Sequence, residues 1–246
     1  MLHVKQVEGD PLALTVRLAE RYSLDLPPGS IDRLERYVKS LLEWNKKLNL
    51  ISRSDTENIW PRHILHSLLP VLLFKIPSNI RFVDIGTGGG LPGLPIAIVR
   101  PDLTGVLVDS IRKKTDALTA IVSDLGISNV RVISERVEGP EFLKKFQSSF
   151  DIVFARAVSQ LPDVVKWSIK LLRKRKPRIE EENLEAKVLI DPPAIVSFKG
   201  GDIREEVERT VRLFPGTSVD EYPIDVEGIT DELFTGKKLL IVKPQA

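Results

Sequence analysis

The residues best suited to chemistry lie in one short stretch, "FVDIGTGGGLPG", residues 82 to 93. An apolar run ends in Asp84 and passes at once into five glycines: Gly86, Gly88, Gly89, Gly90 and Gly93. Glycine lets a turn tighten and lets another molecule approach the backbone. A bare strand-to-helix turn would not need five of them. Two ligand chemistries fit the spacing. Gly88, Gly90 and Gly93 match G-x-G-x-x-G, the loop that cradles a dinucleotide pyrophosphate. Asp84, Gly86, Gly88 and Gly90 match D-x-G-x-G-x-G, the pattern of loops that hold S-adenosylmethionine. Asp109 stands about 20 residues on, where an acid would meet ribose hydroxyls in either case. Asp84 leans toward the second ligand, since a carboxylate can meet an amino or ribose group but repels pyrophosphate. Pro92 and Pro95 also remove amides from the early helix, where a pyrophosphate would seek them.

Other reactive types are few. There is no cysteine, which excludes disulfides, thiolate chemistry and cysteine-held metals. His63 and His66, in "RHILHS", are three apart and share a helix face. No third metal ligand is evident beside them, so no metal is expected and a packed polar edge is the simpler reading. The run "KWSIKLLRKRKPR", residues 166 to 178, carries seven basic residues and no acid, and Glu180 opens an acidic reply. It reads first as a solvated helix end and second as a phosphate-facing patch.

These residues need elements to position them. The first 76 residues read as helices, with no convincing strand. Ser30 can cap a helix whose buried face is Ile31, Leu34, Val38, Leu41, Leu42 and Leu48. Ser54 and Glu57 form a capping box, Pro61 restarts a helix, and Pro70 interrupts the apolar run after it. From "IPSN" onward, seven strand-like runs alternate with helices: "IRFVDIG", "TGVLVDS", "NVRVISE", "FDIVFARA", "AIVSFKG", "SVDEYPI" and "KKLLIVKP". "LPDVVKWSIKLLRK" reads as a helix, as does the stretch from Ile203 to Leu213. Lys174 to Asp191 reads as an irregular surface insertion. Apolar strands alternating with helices mean a mostly parallel sheet covered on both faces. The expected division is a helical extension, 1–76, and an α/β domain, 77–246. The chain of 246 residues, 42% hydrophobic with a net charge of +2, affords a full core and shows neither membrane-length runs nor a signal-peptide layout. It reads as cytoplasmic.

Taken in order, several motifs resemble the small-subunit (16S) ribosomal RNA guanine-N7 methyltransferase family, also called glucose-inhibited division protein B. "LLEWNKKLNLIS" and "RHILHSLLP" look like its helical signature, and "FVDIGTGGGLPGLPIAIVRPD" looks like its cofactor loop. "DSIRKK", "SERVE", "FARA" and "FKG" follow in sequence. The resemblance implies a Rossmann-like methyltransferase fold and S-adenosylmethionine as cofactor. It places Gly86 and Leu91 against the cofactor, Asp109 and Ser110 near its ribose, Val137 and Glu138 by its adenine, and Arg156 in the same site. Arg62, His63, Arg156 and Lys199 become positioning candidates, and ribosomal RNA, free or in a ribosomal assembly, the partner. The link "RKRKPRIEEENLEAKVLIDPPAIVSFKG" departs from the family's short glycine turn. "DPPA", from Asp191, lies in the wrong place, and without an aromatic, for the amino-methyltransferase loop it imitates.

The chemistry is consistent with the inventory. Guanine N7 has an exposed lone pair and no proton to remove, so positioning can carry the reaction without a general base. That edge lies deep in a narrow groove of duplex RNA, so the target should be a loop or open RNA. Lys46, Lys47, Arg53 and Arg62, with the run from Lys166, could face phosphates. Competing readings are a methyltransferase for another RNA or a small molecule, a nicotinamide-dependent oxidoreductase, and a nucleotide-sensing protein without catalysis.

Overall fold

In the computed structural model, residues 10–174, 187–224, 226 and 234–245 are described. Helices come first. Helix α1, Pro11–Arg21, starts on Asp10, whose carboxylate accepts from the Leu12 amide at 3.1 Å. Helix α2, Ser30–Asn45, buries Leu34, Tyr37 and Leu41, one stripe at helical spacing. Ser30 does not cap it. Gly29, at φ +77°, takes the cap position in the left-handed region, and the Ser30 hydroxyl donates instead to Ile98 O at 3.4 Å. The capping box at Ser54 and Glu57 is also absent. Arg53–Asn58 forms a tight 3₁₀ turn in which the Ser52 and Ser54 hydroxyls bond one another at 2.8 Å.

Trp60–Leu65 follows as a π-helical turn with Pro61 near its start, as expected, and leads into α3, His66–Leu73. Pro70 lies inside α3 and does not end it. This first region also contains a strand after all. Strand β1, Phe74–Lys75, pairs in parallel with β6, Val188–Leu189, which lies within the stretch read as irregular.

The large sheet is built from β2 (Arg81–Ile85), β3 (Thr104–Asp109), β4 (Val130–Ser134), β5 (Ile152–Arg156), β7 (Ala194–Gly200), β8 (Ser218–Pro223) and β9 (Lys237–Lys243). Its order is β4-β3-β2-β5-β7-β9-β8. The first five run parallel, and β9 runs antiparallel to both β7 and β8. Helices α4 (Gly93–Val99), α5 (Arg112–Asp124), α6 (Pro140–Phe146), α7 (Leu161–Ser168) and α8 (Arg204–Leu213) connect the strands. Helix α7 stops at Ser168, with only Lys166 of the basic run in its last turn, so Lys174 is exposed beyond it rather than on a helix end. Arg175 and Lys176 lie outside the described residues.

The inner strands are apolar runs because both faces are covered. Phe82 and Leu107 join a core with Leu34, Leu41, Leu65 and Leu118 on one face. Val83, Ile85, Val106 and Val153 join Phe142, Phe150 and Leu161 on the other. Each such large apolar side chain contributes about 1.5–3 kcal/mol by leaving water. The chain leaves β2 in one direction to β3 and β4, and the next strand beside β2 is β5. At that reversal the carboxyl ends of β2 and β5 part and open a crevice. No helix of the described residues is long and apolar enough to cross a membrane.

Candidate active site

Two adjoining clefts occupy the crevice. The first, about 410 Å³, lies over the glycine loop and is lined by Gly86, Thr87, Gly88, Gly89, Leu91, Asp109 and Ser110, among others. The second, about 510 Å³, opens between the ends of β5 and β7 and the segment Asp55–His66. His63, Arg156, Ala157 and Val158 line both.

The loop is held from below by Asp84. This residue is fully buried, and its Oδ2 accepts from the Thr87 hydroxyl at 2.6 Å and from the Gly93 amide at 2.9 Å. Burial pushes its pKa up to about 7, against the lowering effect of those two bonds. Asp84 therefore faces no ligand, and the expected repulsion of a pyrophosphate does not operate from this position. A different obstacle stands in its place. The α4 amide at Gly93 is taken by Asp84, and the Leu94 amide bonds Gly90 O at 2.7 Å. A dinucleotide pyrophosphate needs such amides free at the helix N-terminus.

The glycines serve different ends. A side chain on Gly86 would strike Val158, on Gly89 Leu41, on Gly90 Leu118, and on Gly93 Leu107 and Asp84. Gly88 alone among these five has room: a Cβ there would meet nothing nearer than Leu50 O, at 3.9 Å. Its φ is +56°, so only the backbone and the open cleft require glycine. Of the glycines in the expected motif, Gly86 and Gly88 line the cleft, whereas Gly90 and Gly93 pack beneath it.

Asp109 crosses from β3 to close the loop. Its Oδ2 accepts from the Gly88 amide and its Oδ1 from the Ile111 amide, each at 2.9 Å. Two backbone bonds leave lone pairs directed to the cleft, enough for a ligand hydroxyl. Leu91 and Ser110 also line this cleft. Val137 and Glu138 do not: Val137 is buried in the second core, and Glu138 is exposed and pairs with Arg136 at 3.3 Å.

Arg156, the last residue of β5, turns to the helical region rather than to a carboxylate. Its Nη1 donates to Ser67 Oγ at 3.0 Å and His63 O at 3.2 Å, and its Nη2 to Arg62 O at 2.8 Å. Nη2 also reaches His63 Nδ1 at 3.1 Å. A guanidinium only donates, so Nδ1 accepts and Nε2 carries the ring proton. Nε2 lies 3.3 Å from Asp55 Oδ2 without hydrogen-bond alignment. Burial, then the Arg156 charge, lower the His63 pKa to about 4, against the opposing pull of Asp55. The ring is neutral at physiological pH. Arg62 pairs with Asp55 at 3.1 Å, and Lys199 with Glu206 at 2.7 Å. Both cations line the second cleft. Among the described residues, no cluster of three histidine or acidic side chains could hold a metal.

Sequence reasoning missed several neighbours. Tyr37 on α2 donates to Gly89 O at 2.9 Å, so the helical region shapes the glycine loop. Ala157 sits between the clefts at φ +53°, a strained conformation for alanine. Lys237 lines the second cleft beside His66, which the sequence pattern marks as a packed polar edge. No local pattern marks Tyr37, Ala157 or Lys237, because their partners come from distant parts of the chain.

The fold and its first cleft define a Rossmann-like methyltransferase. Solved structures agree on the fold: a methyltransferase from Aquifex aeolicus, described as dependent on S-adenosylmethionine, superposes with a TM-score of 0.51 at 12% identity, covering 77% of this chain and 94% of that one. A fibrillarin/Nop5p complex chain gives 0.54 at 10% identity, over 75% and 82%. Residues 30–178 match a family model described as rRNA small subunit methyltransferase G. Relatives named ribosomal RNA small subunit methyltransferase G include one from Christiangramia forsetii, 33% identical over 82% of this chain and 88% of its own. Another, from Chlorobaculum tepidum, is 31% identical over 94% and 98%. The chain belongs to the rRNA small subunit methyltransferase G family. It is a methyltransferase, and S-adenosylmethionine is its cofactor.

Proposed function

We propose that the protein transfers a methyl group from S-adenosylmethionine to N7 of a guanine in small-subunit (16S) ribosomal RNA, with residues 1–76 as a helical extension and 77–246 as the catalytic domain. The observation that carries this reading is the loop itself: Gly88 opens on the first cleft beside the Asp109 carboxylate, while the α4 amides a pyrophosphate would need are already bonded. At about 410 Å³ the cleft suits a small-molecule cofactor. Asp109 and Ser110 would hold ribose hydroxyls, and Gly86, Gly88 and Leu91 would shape the amino-acid end.

When bound, the cofactor supplies an electrophilic methyl group. The chain's part is to align the acceptor. N7 needs no deprotonation, so a neutral His63 and an Arg156 whose Nη atoms are bonded to the helical region fit walls that position rather than groups that move protons. Arg156 would hold the Arg62–His63 backbone at a fixed distance from the glycine loop, which sets the approach of the acceptor. Lys199, Arg62 and His63 would orient the RNA side. Asp84 and Gly90 support the site from beneath, and Val137 and Glu138 would bound the adenine at the outer edge. The substrate is ribosomal RNA, either free or within an assembling particle in the cytoplasm.

Calorimetry with S-adenosylhomocysteine and with NAD tests the cofactor assignment. Binding of the first at micromolar affinity or better, without binding of the second, is expected. The reverse result would turn the reading toward an oxidoreductase.

A further inference from the structure

The second cleft holds two side chains outside the roles given above, Lys237 and His66. Its cations are mostly committed. Arg62 is tied to Asp55, Lys199 to Glu206 and to Ser159 O at 2.9 Å, and Arg156 to the carbonyls of residues 62 and 63. Lys237 differs. It opens β9 opposite Gly200, half-buried, and its ammonium rests 5.3 Å over the Phe234 ring. Its ammonium has no hydrogen-bond or ion-pair partner among the described residues. Its neighbour Lys238, in contrast, pairs with Glu221 at 3.2 Å. Burial, then the charges of Arg156 and Arg62, lower the Lys237 pKa.

Beside it stands His66, 6% exposed. Neither ring nitrogen makes an aligned hydrogen bond. Burial first, then Arg156 and Lys237, hold the ring neutral. The imidazole meets Phe198 edge-on at 5.2 Å. An aromatic wall, a neutral donor–acceptor ring and one unpaired ammonium suit a flat heterocycle with a carbonyl. A phosphate dianion would call for several uncommitted cations.

We propose that this second cleft receives the target guanine, turned out of the RNA, and that Lys237 is a specificity-determining residue whose ammonium donates to guanine O6. The assignment rests on the guanine reading above and deepens it. O6 and N7 share one edge of the base. A donor on O6 fixes that edge while leaving the N7 lone pair for the shared wall at His63, Arg156, Ala157 and Val158, behind which the first cleft lies. Adenine carries an amino donor at the same place and would face the ammonium donor to donor. The pocket thus selects guanine without touching N7, and flipping removes the base from a stack that would hide it.

Lys237→Met tests the assignment, because methionine keeps the apolar stem over Phe234 and removes only the donor. Methyl transfer to small-subunit RNA would be followed in wild type, Lys237→Met and Lys237→Arg, with S-adenosylhomocysteine affinity measured alongside. The methionine variant should lose about 10- to 100-fold in kcat/KM, the loss of one charge-assisted hydrogen bond. The arginine variant should stay within about fivefold of wild type, since it restores a donor. Cofactor affinity should not move in either. An active wild type with an indifferent methionine variant would overturn the pocket alone. So would a log–log salt slope for RNA binding that falls by about 0.7–0.9 in Lys237→Met, which would place the lysine on a phosphate. A wild type that transfers no methyl group to RNA would overturn the functional reading and the pocket with it.

Discussion

Gly88→Ala separates a ligand-facing glycine from a packing one. A Cβ at Gly88 meets nothing nearer than 3.9 Å, so the folded protein has space for it. The cost to folding is the left-handed backbone, φ +56°, about 1–2 kcal/mol for a residue with a Cβ. For a chain of this size that is a fall in Tm of roughly 2–8 °C. The methyl would project into the first cleft, where crowding by one carbon costs about 1–3 kcal/mol, or roughly 5- to 150-fold in cofactor affinity. Gly93→Ala should do the opposite. Its methyl would meet Leu107 and lie 2.9 Å from the Asp84 side chain, so stability should suffer while the folded fraction binds. Calorimetry with S-adenosylmethionine and a thermal melt on both variants make the comparison. A Gly88→Ala protein that melts within the stated range and binds with wild-type affinity would refute the assignment of Gly88 to the ligand side of the loop.

Asp84 should leave a signature in the pH dependence of stability. Its folded pKa, about 7, lies above the ordinary 3.8, so the folded state holds a proton that the unfolded state releases between those values. The group's contribution is full below pH 4 and is lost as pH rises to 7, at most about 4 kcal/mol. Asp84→Asn keeps an acceptor for Thr87 and Gly93 and should lack that slope in urea titrations; parallel wild-type and variant curves from pH 4 to 7 would count against a buried, proton-holding carboxyl. Asp109→Ala should weaken cofactor binding by about 1–3 kcal/mol, with RNA affinity unchanged. Since it also frees the Gly88 and Ile111 amides, Asp109→Asn, which keeps one acceptor, should fall between; lost RNA binding with the cofactor retained would put this carboxylate on the other side of the crevice. Changing Lys174, Arg175 and Lys176 together to alanine should weaken RNA binding and lower its log–log salt slope by about 0.7–0.9 per lost contact. An unaltered slope would leave the helical region as the better RNA surface.

The inner strands of the large sheet were legible because strands buried on both faces are continuous apolar runs, whereas the edge strands β4 and β8 are partly exposed. The β1–β6 pair was not legible. Two residues per strand leave no periodicity, and the apolar run from Val188 to Ile190 is only three residues long. The caps misled for a related reason: Ser30 has the right type for a cap, but Gly29 supplies the turn and a carbonyl 68 residues away takes the hydroxyl. In the site, spacing brought Gly86, Gly88 and Asp109 to one cleft, since a strand end and the next strand's acid are neighbours in any such fold, and the family resemblance added Leu91 and Ser110. It could not separate ligand-facing glycines from those packed on Leu118 or Leu107. Nor could it show that Asp84 faces inward, that Arg156 bonds carbonyls 93 and 94 residues away, or that one lysine of "KK" at 237 and 238 enters a cleft while the other pairs on the surface.

The central claim is methyl transfer to guanine N7, and the most direct test is to incubate the purified protein with labelled S-adenosylmethionine and small-subunit ribosomal RNA. An N7-methylated guanine loses its glycosidic bond after borohydride reduction and the strand then breaks with aniline, so one assay gives both the site and the atom. The account predicts label in the RNA and a strand break at a single guanine in an unpaired segment. Label that survives in unbroken RNA, or no label in either free RNA or the assembled particle, would contradict it.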